Sequence, residues 1–360
     1  MIFLALFYNL AMAAVSAAAL VYVRHRRTAS AWLSATVASA MAALGLAVAL
    51  TVLLGERRSP VHSLFATCNL LAYGLFVHGP VVLGGSALLL RRARRAAAVG
   101  SAVLAAALVA VGVDAFLVEP YWLEVSRVRL ASAKVDAPVR IVVLADLQTE
   151  VIGPYQRRVL QRVVDERPDL VLLAGDYLQA KGEAWETLRD DLNRLLHDLD
   201  LSAPDGVYAV RGNIDPERWP EIFAGVPVTA VESTRSFDLD RLRLTCLSEG
   251  DSFDPSLEVP GAAPGRYHVV LGHSPDFALG RIEADLLLAG HTHGGQVQVP
   301  LVGPLLTLSE VPRRWAAGQT ELPGGGRLLV SRGIGLEGGR APRLRFFCRP
   351  ELVVIELVPE

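Results

Sequence analysis

Two histidines one residue apart, in Gly290-His291-Thr292-His293-Gly294-Gly295-Gln296, are the part of this chain best suited to chemistry. They follow an apolar run at 284–289 that reads as a buried strand. If the backbone stays extended into the motif, residues i and i+2 face one side. Two imidazoles can then reach a pair of metal ions about 3.5–4 Å apart. Flanking glycines let the backbone turn closely around such a centre. A glycine-rich turn with two solvated histidines is the plainer alternative.

Other ligand-type side chains also end apolar runs. Asp146 and Gln148, again i and i+2, close the run at 140–146, and Gly175-Asp176 closes the run at 169–176. Gly212-Asn213-Ile214-Asp215 follows 206–211, and His273 follows 267–271. In open α/β sheets, ligands bind beyond the carboxyl ends of strands. Each residue has a duller reading: Asp146 as a helix cap, Asp176 and Asn213 as turn residues, His273 as a loop residue. Their recurrence at successive strand ends favours one shared crevice.

The elements needed to position them are legible from about residue 121 onward. Continuous apolar runs at 140–146 and 169–176 suit strands buried on both faces. Between them, 154–166 reads as an amphipathic helix with Pro154 in its first turn. A second helix is expected over 185–199 and a third strand over 206–211, so the sheet here is largely parallel. Later strands are expected at 241–247, 267–271, 328–331 and 352–357, with few helices between. Two packed β-sheets flanked by helices fit this pattern, and Pro323-Gly324-Gly325-Gly326 reads as a hairpin turn.

The ordered motifs resemble the calcineurin-like metallophosphoesterase superfamily, whose pattern runs Asp-x-His, Gly-Asp, Gly-Asn-His-Asp/Glu, a lone His, then Gly-His-x-His. The resemblance covers about residues 121–360. It looks closest to the membrane-associated branch that includes UDP-2,3-diacylglucosamine pyrophosphatases, through the 290–296 motif, Ser331-Arg332-Gly333-Ile334-Gly335 and Arg345-Phe346-Phe347-Cys348-Arg349-Pro350-Glu351. It implies an αββα sandwich with two divalent metals. Asp146, Gln148 and His293 would hold one, Asn213, His273 and His291 the other, and Asp176 would bridge them. Carboxylate, imidazole and amide ligands suit Mn, Fe or Zn. The implied reaction is hydrolysis of a phosphoanhydride or activated phosphodiester by hydroxide activated at the metals, with Arg332 stabilising phosphate charge or forming a surface salt bridge.

Two positions depart from the pattern. Gln148 stands where the family usually has His. Ile214 stands where the family has the histidine that protonates the leaving group, with Asp215 as that histidine's partner. General acid catalysis is typically worth about 10²–10⁴-fold, so its loss favours good leaving groups. A catalytically impaired module that binds metal and phosphate is the alternative. Gly333-Ile334-Gly335-Leu336-Glu337-Gly338 mimics a dinucleotide fingerprint, but no helix pattern follows it.

Apolar residues make up 52% of the 360, and the mean hydropathy of +0.36 reflects their concentration in the first third. Residues 1–120 read as a transmembrane region with spans at about 2–23, 31–54, 61–90 and 96–118, followed by the 121–360 domain. A cleaved signal peptide lacks its basic n-region here. Gly45 is expected at a close helix contact, Gly79-Pro80 at a kink, and His78 as a polar contact between helices or an intramembrane ligand. Asp114 sits near the far end of the fourth span, with Tyr121 and Trp122 at the interface after it.

Arginine clusters at 24–27 and 91–95 outweigh Arg57 and Arg58, so the clusters are expected in the cytoplasm and the catalytic domain outside it. The expected partners are the bilayer and a phosphate-containing substrate, with lipid-linked phosphates among the candidates. A net charge of -2 gives no basic footprint for nucleic acid. Cys68, Cys246 and Cys348 lie far apart and read as buried, inert thiols, the last two in strands. A transporter with an enzymatic appendage is disfavoured by the few polar residues in the spans.

Overall fold

A helix that is apolar on every side needs surroundings that are apolar all round. The computed structural model describes residues 1–54 and 60–360. Its chain divides into two units, Met1–Val118 with Glu337–Arg343, and Glu119–Leu336 with Leu344–Glu360. The first unit holds α1 (Ile2–Arg26), α2 (Ala29–Leu54), α3 (Pro60–Tyr73), α4 (Gly79–Leu90) and α5 (Arg95–Val113). A π-turn at Gly74–His78 joins α3 to α4, and another at Asp114–Val118 extends α5. Counted through these turns, Ile2–Arg26, Ala29–Leu53, Pro60–Leu90 and Arg95–Tyr121 are long and apolar enough to cross a membrane. Arg57 and Arg58 lie outside the described residues.

The polarity of this unit is inverted relative to a protein in water. Leu6, Phe7, Leu10, Val37, Met41 and Val103 are exposed, whereas Ser16, His78, Ser86 and Ser101 are buried. His78 makes the interhelical polar contact expected of it, with Nε2 3.0 Å from Asn9 Oδ1 and Nδ1 3.4 Å from Ser16 Oγ. A π-turn lies just before Gly79-Pro80, where a kink is expected. Pro80 brings no N–H, and the widened turn absorbs that loss. Gly45 is not at a close contact, because a Cβ there would meet nothing within 4 Å. Gly74 and Gly85 are at close contacts, where a Cβ would lie 2.6 Å from the Tyr8 hydroxyl and from Leu20, respectively. Asn69 Nδ2 donates to the carbonyls of Arg340 (3.2 Å) and Ala341 (3.4 Å).

The second unit places its apolar runs in two six-stranded sheets. The first has the order β1 (Glu124–Ala131), β16 (Glu351–Val358), β2 (Val139–Leu144), β3 (Leu170–Leu173), β4 (Val207–Val210), β5 (Val228–Val231). The β2–β3–β4–β5 pairings are parallel. The C-terminal strand inserts between β1 and β2, parallel to one and antiparallel to the other. The second sheet runs β14 (Gly318–Glu321), β15 (Arg327–Val330), β11 (Leu286–Ala289), β9 (His268–Leu271), β7 (Arg243–Cys246), β6 (Arg235–Asp238). Its centre is parallel, and β14–β15 is the hairpin that closes through Pro323-Gly324-Gly325-Gly326. Two small pairs complete the unit, β8 (Glu258–Val259) with β10 (Arg281–Ile282), and β12 (Gln298–Val299) with β13 (Gly303–Pro304).

Strand alternation then sorts the side chains. Ile141, Val143, Leu170 and Leu172 share one core with Leu244, Val269, Leu271, Leu286 and Leu288 of the other sheet. Val142, Leu144, Val171 and Leu173 pack instead with α6 (Pro154–Asp165) and α7 (Glu183–Asp198), through Val159, Val163, Leu192 and Leu196. The outer face of the second sheet is covered by shorter pieces that supply Phe277, Val311 and Trp315. Cys246 lies in β7 as expected, but Cys348 lies in the irregular segment just before β16. Both are buried, while Cys68 is only half-buried.

Candidate metal centre

Rigid strand ends set the position of every ligand-type residue. Asp146 and Gln148 follow β2, Asp176 follows β3, Asn213 follows β4, His273 follows β9, and His291 and His293 follow β11. The backbone does not stay extended there, contrary to the reading from i, i+2 spacing. Asp146, Gln148, Asp176, His291 and His293 have φ of 49°, 30°, 56°, 68° and 48°. A left-handed backbone costs a non-glycine residue about 1–2 kcal/mol, and such strain collects at functional sites. Tight reversals, not the strand pleat, therefore aim these groups. Two glycines make room: a Cβ on Gly212 would lie 2.1 Å from Asp176 Oδ1, and one on Gly290 would lie 2.7 Å from Asp146 Oδ2.

Asp176, His273 and His291 offer ligand atoms all within 4.8 Å of one another. His273 Nε2 lies 3.4 Å from Asp176 Oδ2 and 3.0 Å from Asn213 Oδ1. Its Nδ1–H donates to the Ala174 carbonyl at 2.8 Å, which leaves Nε2 as the ligand atom. His291 is oriented the other way, with Nε2–H donating to the Leu308 carbonyl at 3.2 Å. The His291 N–H bridges both carboxylate oxygens of Asp146 at 3.0 Å. Phe253 stands edge-on to the His291 ring at 4.9 Å.

Gln148 Nε2 donates to Gln179 Oε1 at 2.7 Å, so its Oε1 is the free acceptor. That atom, with Nδ1 and Nε2 of His293, is buried without a hydrogen-bond partner. Orphaned buried polar atoms are costly and in native proteins often mark an ion site. A divalent cation would satisfy the Gln148 oxygen and one His293 nitrogen, and the mixed oxygen and nitrogen donor set fits Mn, Fe or Zn.

The charges tell the same story. Burial pushes the Asp146 carboxyl up to about 7, although His273 pulls the other way. Burial disfavours a charged His273, but Asp176 and then Asp146 outweigh it and hold the imidazolium up to about 10. Burial also works against the Asp176 carboxylate, yet the adjoining His273 holds it below the usual range. Burial, then His273, lowers His291 to about 4, and burial, then Arg345, lowers His293 to about 3. Both imidazoles are therefore neutral and ready as ligands near neutral pH.

Two sequence candidates lie around this cluster and are engaged elsewhere. Asp215 accepts from the backbone N–H of Asp176 and Tyr177, both at 2.8 Å, and from Gly212 at 2.9 Å. It acts as a clamp on the loops that carry Asp176 and Asn213. Arg332 lies 3.0 Å from Glu351 and 3.3 Å from Glu124, a paired cation that is largely buried rather than on the surface. Sequence reasoning gave Arg345 no role. Its buried guanidinium donates to the carbonyls of Cys348, Arg332, Gly333 and Gly335. Those bonds fix the turn whose Ile334 and Gly335 N–H groups donate to the Asp146 carbonyl. A lone arginine among loop residues carries no periodic signal that could have revealed this.

The family model for calcineurin-like phosphoesterases matches residues 139–295. Phosphodiesterase YaeI of Escherichia coli (strain K12) is 33% identical over 262 residues, covering 67% of this chain and 90% of the relative. The chain belongs to the calcineurin-like phosphoesterase family. UDP-2,3-diacylglucosamine pyrophosphatase LpxG of Chlamydia muridarum is 25% identical to this phosphoesterase, covering 73% of its chain and 98% of the relative. An uncharacterized metallophosphoesterase, YkuE of Bacillus subtilis, is 26% identical over 56% of the chain and 72% of the relative. The phosphoesterase is thus a metal-dependent hydrolase. Arg332, Arg345 and the β12–β13 hairpin lie beyond the residues matched to the family.

Proposed function

We propose that this phosphoesterase is a membrane-anchored, two-metal phosphohydrolase that cleaves a phosphoanhydride or activated phosphodiester, with lipid-linked substrates favoured. The observation that carries the reading is the gathering of buried Asp146, Asp176 and His273 and half-buried His291 beside the partnerless atoms of Gln148 and His293. Asp146, Gln148 and His293 would hold one cation, Asn213, His273 and His291 the other, with Asp176 between. Two such cations, when bound, lower the pKa of water and neutralise charge on a phosphate under attack.

This chain's own residues do the rest. Phe253 packs edge-on against the His291 ring, and the Asp215 clamp keeps Asp176 in place. No proton donor stands at Ile214, whose N–H donates to Asp176 Oδ1 at 3.0 Å and whose side chain is hydrocarbon. The departing oxygen must therefore leave without help from that position, as a phosphate or phenolate can and a sugar alkoxide cannot. The pyrophosphatase named among the relatives supports an anhydride substrate, and the four apolar helices support one presented at a bilayer.

The test is turnover of a nitrophenyl phosphodiester against an alkyl monophosphate with manganese, with Asp176→Asn as control and bound metal measured in both proteins. Fast cleavage of the first and slow cleavage of the second is the expected outcome. Equal rates would refute the leaving-group argument, and Asp176→Asn retaining full metal and rate would refute the site.

A further inference from the structure

The β12–β13 hairpin builds an apolar lip close to His291. Its base is tied in by the Gln298 N–H, which donates to the Phe346 carbonyl at 2.9 Å. At its tip the Val302 N–H donates to the Val299 carbonyl at 3.0 Å, so Pro300 and Leu301 form the middle of a β-turn. Leu301 has φ +69°. Proline followed by a positive φ is the type II pattern, and the second of those positions prefers Gly or Asn. The leucine is thus strained and, at 108% relative exposure, packs against nothing. Val302, Leu305, Leu308 and, on the segment paired with the hairpin, Phe347 are exposed as well. Folding in water gains nothing from holding leucine in such a place, and strain of this kind points to a use outside the fold.

Charge and connectivity indicate what covers the lip. Arg313 and Arg314 are exposed beside it and, among the described residues, form no ion pair. The Arg349 guanidinium lies 3.6 Å over the ring of Trp122, itself half exposed. Aromatic rings and cations around an apolar edge match the headgroup layer of a membrane. The last apolar helix of the chain ends at Tyr121, the residue before Trp122. A groove of about 650 Å³, lined by Phe253, Leu305, Leu308 and Arg313 and by Asp276 and Glu310 as its acidic residues, adjoins His291 through Phe253 and the Leu308 carbonyl.

We propose that this hairpin inserts its leucines among bilayer acyl chains, bringing the metal centre to phosphates at headgroup depth. The inference rests on the membrane-anchored reading above and adds the surface that engages lipid. The experiment places the full chain in vesicles of phosphatidylcholine with some phosphatidylglycerol, in a Cys68→Ser background. An environment-sensitive fluorophore at Leu301→Cys should be quenched at least about twofold by nitroxide on the acyl chains, while one at Arg281→Cys should not. Quenching of the Leu301 probe only by a water-soluble quencher would overturn the proposal.

A second arm uses Leu301→Asn, a residue the turn accepts. Hydrolysis of a dialkylglycerol nitrophenyl phosphodiester in the vesicles should fall about tenfold while a water-soluble nitrophenyl phosphodiester is cleaved as before. Equal effects on both probes, or on neither, would overturn the lip. Failure of the unsubstituted chain to cleave either probe would remove the hydrolase reading and leave the quenching arm to decide the lip.

Discussion

On the proposed reading, Ile214 puts a hydrocarbon where a proton donor would help a poor leaving group depart. Ile214→His should raise turnover of an alkyl monophosphate by about 10²-fold and change nitrophenyl diester turnover little, in steady-state assays of both. On the proposed ligand set, Gln148 would tune the metals rather than the leaving group. Its amide oxygen is a weaker, harder donor than imidazole, so Gln148→His should retain zinc longer during dialysis against chelator, as read by metal analysis. Proton inventory is a third test at this scale. Without metal, His273 is held up to about 10 and Asp146 up to about 7, so both hold protons at neutral pH that ligation must displace. Metal affinity should therefore fall as pH drops below about 10 and more steeply below about 7, with about one to two protons released per site pair at pH 7. Calorimetry in buffers of different ionisation enthalpy reads that number.

At the scale of elements, the centre depends on turns that hold strained backbone at strand ends. Asp215 is the clearest support, with three amide hydrogen bonds to the loops after β3 and β4. Asp215→Ala leaves those buried amides without an acceptor, so stability should fall by about 2–4 kcal/mol. Metal retention should fall with it, because Asp176 would lose its mooring. Denaturant unfolding and metal analysis of the same preparation check both. Arg345 does the same for the turn behind Asp146, which lies beyond β15 and reaches the site only because β15 is the parallel neighbour of β11.

For the whole molecule, the proposed membrane anchoring and the arginine clusters at 24–27 and 91–95 together predict that the chain after Tyr121 lies outside the cytoplasm. A reporter fused after Glu360 that is active only outside the cytoplasm should be active, and a cytoplasmic reporter there should be silent. The outward leucines and buried polar groups of the first unit agree with a lipid surround, since a chain folding in water would hide Leu6 and Leu10 before Ser86 and Ser101.

What was legible in the sequence was what depends on neighbours along the chain. Apolar runs located β2, β3, β9 and β11, amphipathic periodicity located α6 and α7, and hydropathy separated the first third from the rest. The order of Asp146, Asp176, Asn213, His273, His291 and His293 at strand ends was legible for the same reason. Only the tertiary structure decided that these ends meet, and that they do so through left-handed turns. It also decided that Asp215 and Arg332 spend their charges on backbone amides and on Glu351, that Arg345 braces the site, and that β16 divides β1 from β2. Those outcomes rest on partners far apart in the chain, and a pattern read over one or two turns holds no information about which distant group will arrive.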